Sequence, residues 1–379
     1  MKNKNNIKLL NRKTLKPNLN IDIEDSFFKT NITFIQKSLI NDAYSNKNFH
    51  YNKTFELFKS INNIIYIVYT NKINSIILYN IINNKKIYEI KNPHKNPIIC
   101  FRYHLDNIKK RDLILSISFY QIKLWNINNT ECLFNITKNN DDFYYSAGFL
   151  NDNKNIYLII SNYNENNFYN KQISESFKVY DVNGYKIQRF EKFKENAKII
   201  EHFYDDKSFK NFIIISNNLS IKSYDFDEDK MCNTFEKSNN IMDIIISKKD
   251  NKNILIGIKI FNNEINIWDI YSGKLLKLYK DYGIMSPSYL SCICLWNEEK
   301  LFFGTKVHKE FKLNGNGNSD YYIIKLINLK DGSIMDNITI LKQEIITIKK
   351  IIHPKYDECL IFQDLNGEIN LLKIQLITK

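Results

Sequence analysis

A hairpin recurs along this chain, and a recurring unit restricts the possible folds more than composition does. Its clearest copy is EINIWDIYSGKLLKLY, from Glu264 to Tyr279. Ile265, Ile267 and Trp268 are interrupted by Glu264, Asn266 and Tyr271, the alternation of a strand with one buried face, and Gly273 supplies the turn. Further copies end their first run in Tyr79-Asn80, Trp125-Asn126, Tyr180-Asp181 and Tyr224-Asp225. Two looser copies place Ile327-Asn328 and Leu372-Lys373 at the same dipeptide. Successive anchors lie 46, 55, 44, 44, 59 and 45 residues apart. A unit of this length forms one small sheet that cannot cover both of its faces, so neighbouring units must stack to supply the cover.

These anchors and spacings resemble the WD40 repeat family, whose units of ~40 to 45 residues end a strand in Trp-Asp. The resemblance runs from about Thr30 to the C-terminus. It implies an all-β, seven-bladed WD40-like β-propeller of four-stranded sheets packed radially. Only Trp268-Asp269 is a literal Trp-Asp, and the family's Gly-His before the innermost strand is absent. Asn218, Asn262 and Asn366 stand where the family places Asp before the third strand. The family's Asp-His-Ser/Thr-Trp network is therefore expected to be missing, with packing of Ile, Tyr and Phe in its place. A kelch-type propeller matches less well, because its paired glycines are absent and the chain holds only 10 Gly.

The expected organisation is a basic, flexible N-terminal arm over residues 1–29 and one propeller over residues 30–379. Lys2, Lys4, Lys8, Arg12, Lys13 and Lys16 precede the first acid, Asp22. The blades are placed at Tyr51 to Ile90, Pro97 to Ile136, Phe143 to Phe190, Ala197 to Phe235, Ile241 to Tyr279, Tyr289 to Ile338 and Glu344 to Lys379. The last unit is one strand short. Thr30 to Ile40 is expected to fill the vacancy as a clasp that closes the ring and removes two exposed edges.

Motifs of catalysis and metal binding are not found. Six cysteines, Cys100, Cys132, Cys232, Cys292, Cys294 and Cys359, show no CxxC spacing and read as reduced core thiols. The six histidines never reach metal-ligand spacing, and His353 reads as a satisfied loop residue. Gly315-Asn316-Gly317 lacks the Lys-Ser/Thr of a phosphate loop, and there is no GxSxG elbow. Paired carboxylates such as Asp205-Asp206 and Glu298-Glu299 are expected at solvated turns. The string Phe101-Arg102-Tyr103-His104 lacks the second Arg and the Gly of phosphoinositide-binding propellers and is placed on an inner strand. No enzyme activity, cofactor or metal is expected. No run approaches the ~18 apolar residues of a membrane span, and the expected location is intracellular, the cytoplasm ahead of the nucleus.

Two long spacings mark insertions, Asn164 to Ser174 in blade three and Lys306 to Asp320 in blade six, both between second and third strands. In the resemblance those connections open on the face that carries the blade-to-blade loops, and insertions gathered on one face of a repeat array mark its binding side. Phe168, Tyr169 and Phe311, with Lys171, Lys309 and Lys312, are the expected partner contacts. The competing reading is that these aromatics pin their own loops to the ring. The first function expected is a non-enzymatic scaffold that mediates protein–protein interaction within an intracellular complex. The alternative is an RNA-associated propeller that uses the basic arm and Lys-rich loops. The net charge of +13 invites the RNA reading, and the composition weakens it, since excess Lys, Asn, Ile, Tyr and Phe with few Arg, Gly and Pro follows from A/T-rich coding.

Overall fold

The computed structural model describes residues 32–43, 55–137, 142–151, 155–164, 177–187, 197–249, 252–259, 264–280, 292–309, 319–341 and 343–376. They form seven antiparallel sheets of four strands, arranged as a β-propeller. Six sheets are sequential. The seventh takes its fourth strand from the other end of the chain: Ile32–Ile40 runs antiparallel to Ile369–Leu376, from Ile32 opposite Leu376 to Ile40 opposite Ile369. The clasp follows the sequence expectation over Ile32–Ile40; Thr30, the expected first residue, lies outside the described residues. The arm, residues 1–29, lies outside the described residues.

Successive first strands touch one another around the ring, so the first strand of each blade is innermost. The core is divided accordingly. Seven clusters of buried side chains each occupy one blade-to-blade interface. The closing interface joins Phe55, Ile67 and Ile77 of blade one to Ile351, Ile361 and Leu371 of blade seven, with Ile40 of the clasp among them.

The anchor dipeptides have a local explanation. In six blades the chain turns immediately after the anchor, and its second residue accepts hydrogen bonds from turn amides. Asn80 receives Ile82 N at 2.9 Å, Asn126 receives Asn128 N at 3.2 Å, and Asp181 receives Asn183 N at 2.9 Å. Asp225, Asp269 and Asn328 do the same for Glu228, Ser272 and Lys330 at 2.9, 2.8 and 2.8 Å. The role requires an acceptor oxygen, which Asn and Asp share. In blade seven the clasp supplies the next strand and no hairpin follows; there the position is Lys373. Each of the six turns ends on a left-handed residue: Asn84, Thr130, Gly184, Asp229, Gly273 and Gly332 all have φ between 50° and 88°. Such a residue lets a short hairpin match the twist of its strands. Gly273 meets a second demand, since a Cβ there would lie 2.9 Å from Thr234 O.

Trp268 is fully buried between blades four and five and donates from Nε1 to Glu236 O at 2.7 Å. Its ring lies so close to the neighbouring strand that a Cβ at Gly257 would meet it at 2.9 Å. Blade two corrects the expectation that the His-Ser-Trp part of the family network is missing. His94, which stands ahead of the first strand of that blade as Pro93-His94, is within hydrogen-bond distance of Ser116 Oγ (2.7 Å) and Ser118 Oγ (3.1 Å). Trp125 Nε1 donates to the same Ser116 Oγ at 2.8 Å. The turn between second and third strands is Phe119-Tyr120 and carries no Asp. Asp205 is also not a solvated turn acid: it is buried, caps its turn through Lys207 N and Ser208 N, and accepts from Tyr271 OH at 2.7 Å. The thiols divide as well. Cys100, Cys292, Cys294 and Cys359 are buried, whereas Cys132 is exposed and Cys232 half-buried. Burial pushes the Cys294 thiol up to about 12, which removes it from thiolate chemistry at neutral pH.

Two predictions follow from this architecture. Deleting residues 1–40 should abolish cooperative unfolding, because it strips the closing interface of Ile40 and exposes two strand edges; a truncated protein that melts at the full-length temperature contradicts the clasp. The second concerns His94, whose burial, with the Lys123 ammonium nearby, holds its pKa down at about 3. The unfolded chain therefore takes up a proton near pH 6.5 that the folded chain refuses. Stability contributed by His94 is full above that pH and falls by about 1.4 kcal/mol per unit as the pH drops from 6 to 4. Urea titrations across that range should show His94→Gln with a slope shallower by about one proton than the native protein; equal slopes would mean that the buried imidazole is protonated in the native state.

Candidate interaction surfaces

Each blade presents two ends. Turns between first and second and between third and fourth strands open on one face of the ring, here the lower; second-to-third connections and blade-to-blade links open on the other, the upper. Of the predicted contacts only Lys309 is among the described residues, at the upper end of its strand. Lys309 is the last residue of the second strand of blade six, opposite Ser319. Phe168, Tyr169, Lys171, Phe311 and Lys312 lie outside the described residues. Both insertions do fall between second and third strands.

The blade six insertion is in part regular structure, which the sequence reading treated as loop. Its second and third strands, Lys300–Lys309 and Ser319–Asn328, pair over ten rungs. The same pair of strands in the other blades makes five or six rungs. The outermost three, Val307↔Tyr321, His308↔Asp320 and Lys309↔Ser319, extend past the end of the fourth-strand ladder at Tyr322↔Leu341. At ~3.4 Å per residue this ribbon rises about 10 Å above its sheet. Alternation of Ile323, Lys325 and Ile327 with Ile324 and Leu326 continues the strand pattern inward, so the arm grows from a rigid base.

The inner strands carry a charged cluster across the axis. Arg102, on the first strand of blade two (Ile98–Asp106), lies 3.8 Å from Glu201 on the first strand of blade four (Ile199–Asp205). Blades two and four are not neighbours, so this pair spans the lumen. Arg102 also donates from Nε to Ala147 O of blade three at 3.1 Å. Lys349 of blade seven reaches Glu56 of blade one at 3.1 Å and so ties the closing interface at its inner edge. Burial opposes the charge on Arg102; the carboxylates of Glu201, Glu56 and Asp243 favour it, and its pKa stays above the usual arginine value. Lys349 is in the same position: burial works against its ammonium, Glu56 more than offsets that, and its pKa stays above the usual lysine range. Two cations and three carboxylates from five blades thus hold one another in a site where none would be stable alone.

The lower face is the more apolar among the described residues. Ile82, Ile108, Tyr185, Phe209, Tyr271, Met231 and Ile352 are exposed at or beside its turns, against Ile73 and Leu219 above. Neither this face nor the axial cluster was read from the sequence. A sequence signal existed for the face: Phe209 and Tyr271 each sit in a short turn that offers a large ring little to bury against.

With this geometry in hand, comparison with known proteins is narrow. Neither a protein-family model nor a curated protein sequence matches the chain. Among solved structures, a chain described as "BBS1N in complex with ARL6DN, soaked with mercury" superposes with a TM-score of 0.57 at 8% identity, covering 90% of this chain and 99% of that one. The likeness is one of fold. It supports a WD40-like seven-bladed propeller and does not reach membership of the WD40 repeat family. None of the described residues is helical, and no helix among them is long and apolar enough to cross a membrane. Among the described residues, no group of three or more His, Cys, Asp or Glu is placed to hold a metal ion.

The axial ion pairs generate a prediction. Lys349→Met leaves the Glu56 carboxylate in the lumen without its cation and should cost about 1–3 kcal/mol in denaturant unfolding. Adding Glu56→Leu should restore part of the loss, since the double variant leaves no unpaired charge. A double variant that is destabilised by the sum of the two single changes would show that the pair is not coupled.

Proposed function

We propose that this chain is a non-catalytic interaction propeller, a scaffold that grips protein partners within an intracellular complex. The observation that carries the reading is the blade six arm. A two-stranded ribbon projecting beyond its sheet is marginally stable in water by itself, so a chain that keeps one gains when another surface covers it. A closed ring behind it keeps the contact preorganised, which limits the entropy lost on binding. The propeller likeness to a chain solved in a complex is consistent with this role. Partner contacts on the upper face are assigned to Lys309, Phe311 and Lys312 at the arm and to Phe168, Tyr169 and Lys171 in the blade three insertion.

The test is affinity purification of the tagged protein from its own cells, with and without nuclease, followed by mass spectrometry. A fixed set of proteins that survives nuclease is expected. A second bait replaces Val307–Tyr321 with Asn-Gly, a two-residue turn suited to a hairpin, and should lose members of that set while melting at the same temperature. Retention of every member by the shortened bait removes the arm from the reading; dissolution of the set by nuclease makes nucleic acid the bridge and refutes the scaffold.

A further inference from the structure

The lower face holds a cleft between blades four and five that the upper-face reading does not use. Its volume is about 250 Å³. For scale, an apolar cavity of ~150 Å³ holds a benzene. Phe203, Phe212 and Ile270 form apolar walls, and Tyr271 closes one side, with its ring edge-on to Phe203 at 6.0 Å and its hydroxyl fixed on Asp205. Asn253 Nδ2 donates to that hydroxyl at 2.6 Å, so the Tyr271 side chain is held from both directions.

One wall is polar and unsatisfied. Ser223 is 2% exposed, lines the cleft, and its Oγ has no hydrogen-bond partner. A buried hydroxyl without a partner costs about 1–3 kcal/mol, so a polar atom arriving in the cleft is stabilised there. Large apolar side chains stand exposed at this end of the ring: Phe209 at 76% on the turn after the first strand of blade four, and Tyr271 at 40% on the cleft itself. Phe209 holds a left-handed backbone with φ 57°, an uncommon conformation for a bulky residue, which keeps its ring on the tip of the turn.

The charge around this opening runs against that of the chain. The turns Asp205–Phe209 and Asp225–Lys230, which join strands lining the cleft, carry six carboxylates against two lysines, in a protein of net charge +13. Asp206, Asp227 and Glu228 are exposed. Lys210 pairs with Asp225 and Glu228, and Lys230, which lines the cleft, pairs with Glu228; with both counted, the four carboxylates of the Asp225–Lys230 turn still outnumber the cations.

We propose that this cleft docks a basic peptide segment of a partner protein, which inserts one tyrosine-like side chain. The ring would fill the apolar walls, its hydroxyl oxygen would accept from Ser223 Oγ, and flanking Lys or Arg residues would lie against the acidic turns. The site deepens the scaffold reading by naming a partner chemistry for the face opposite the arm, and it rests on that reading. The two are tested separately, because peptide binding by the purified protein does not depend on recovery of a complex from cells.

The experiment measures fluorescence anisotropy of labelled Lys-Arg-Gly-Tyr-Arg-Lys with the full-length chain. Saturable binding is expected, weakened at least about tenfold when the peptide Tyr is replaced by Ala, the loss typical of a buried anchor, and absent when Glu replaces its Lys and Arg. Cys232→Trp, which fills the cleft from its wall, should eliminate binding, and Asp206→Lys with Glu228→Lys should weaken it severalfold, both with the native melting temperature. Equal binding of the Tyr and Ala peptides would reduce the interaction to surface charge and overturn the proposal. So would absence of binding, or full binding by a folded Cys232→Trp protein. If that variant does not fold, the Tyr-to-Ala comparison on the native chain decides alone.

Discussion

Everything in this molecule depends on the contact between its first and last blades. A four-stranded sheet has two faces to bury and a short hairpin sequence with which to do it, so each blade is stable only between two others. Six interfaces form between sequence neighbours. The seventh must bring together chain segments some three hundred residues apart, and it is made by an N-terminal strand that completes the last sheet and an ion pair, Lys349 to Glu56, at the axis. Without that closure blades one and seven would each present an apolar face to water.

The axial charges extend the same logic inward. Strands that converge on an axis crowd their side chains toward one lumen, and this chain has placed there a mixture of signs rather than a uniform apolar plug. Arg102 alone touches blades three and four from blade two. A cluster of this kind contributes little net stability compared with packed hydrocarbon, but it is intolerant of partial loss, because each remaining charge would stay in a poorly solvated place.

Much of the architecture was legible in the residues. Strand alternation around Trp268, the seven anchors and the missing strand of the last unit are local or arithmetical signals, and blade number, clasp and insertion positions follow from them. What escaped was of three kinds. His94 lies outside any Gly-His motif, so its bonds to Ser116 and Ser118 could only be seen once blade two had brought the three together. The cleft beside Tyr271 draws residues from two blades, Asp205 and Tyr271 being 66 positions apart, and no spacing rule reaches that far. The ordered part of the blade six insertion escaped for a third reason: Lys306 to Lys309, Lys-Val-His-Lys, lack the apolar alternation by which strands are recognised.

The turn acceptors show how little of the lettering each hairpin demands. At the second anchor position the fold asks for an oxygen two or three residues before a turn amide and nothing more. Within this chain Asp and Asn both fill that position, and where the clasp removes the turn the position is Lys373. Tyr, Trp, Ile and Leu exchange beside it as buried volume permits. One hairpin shape is thus built six times in this chain from different letters, with an acceptor oxygen at one position and buried volume beside it as the shared demands.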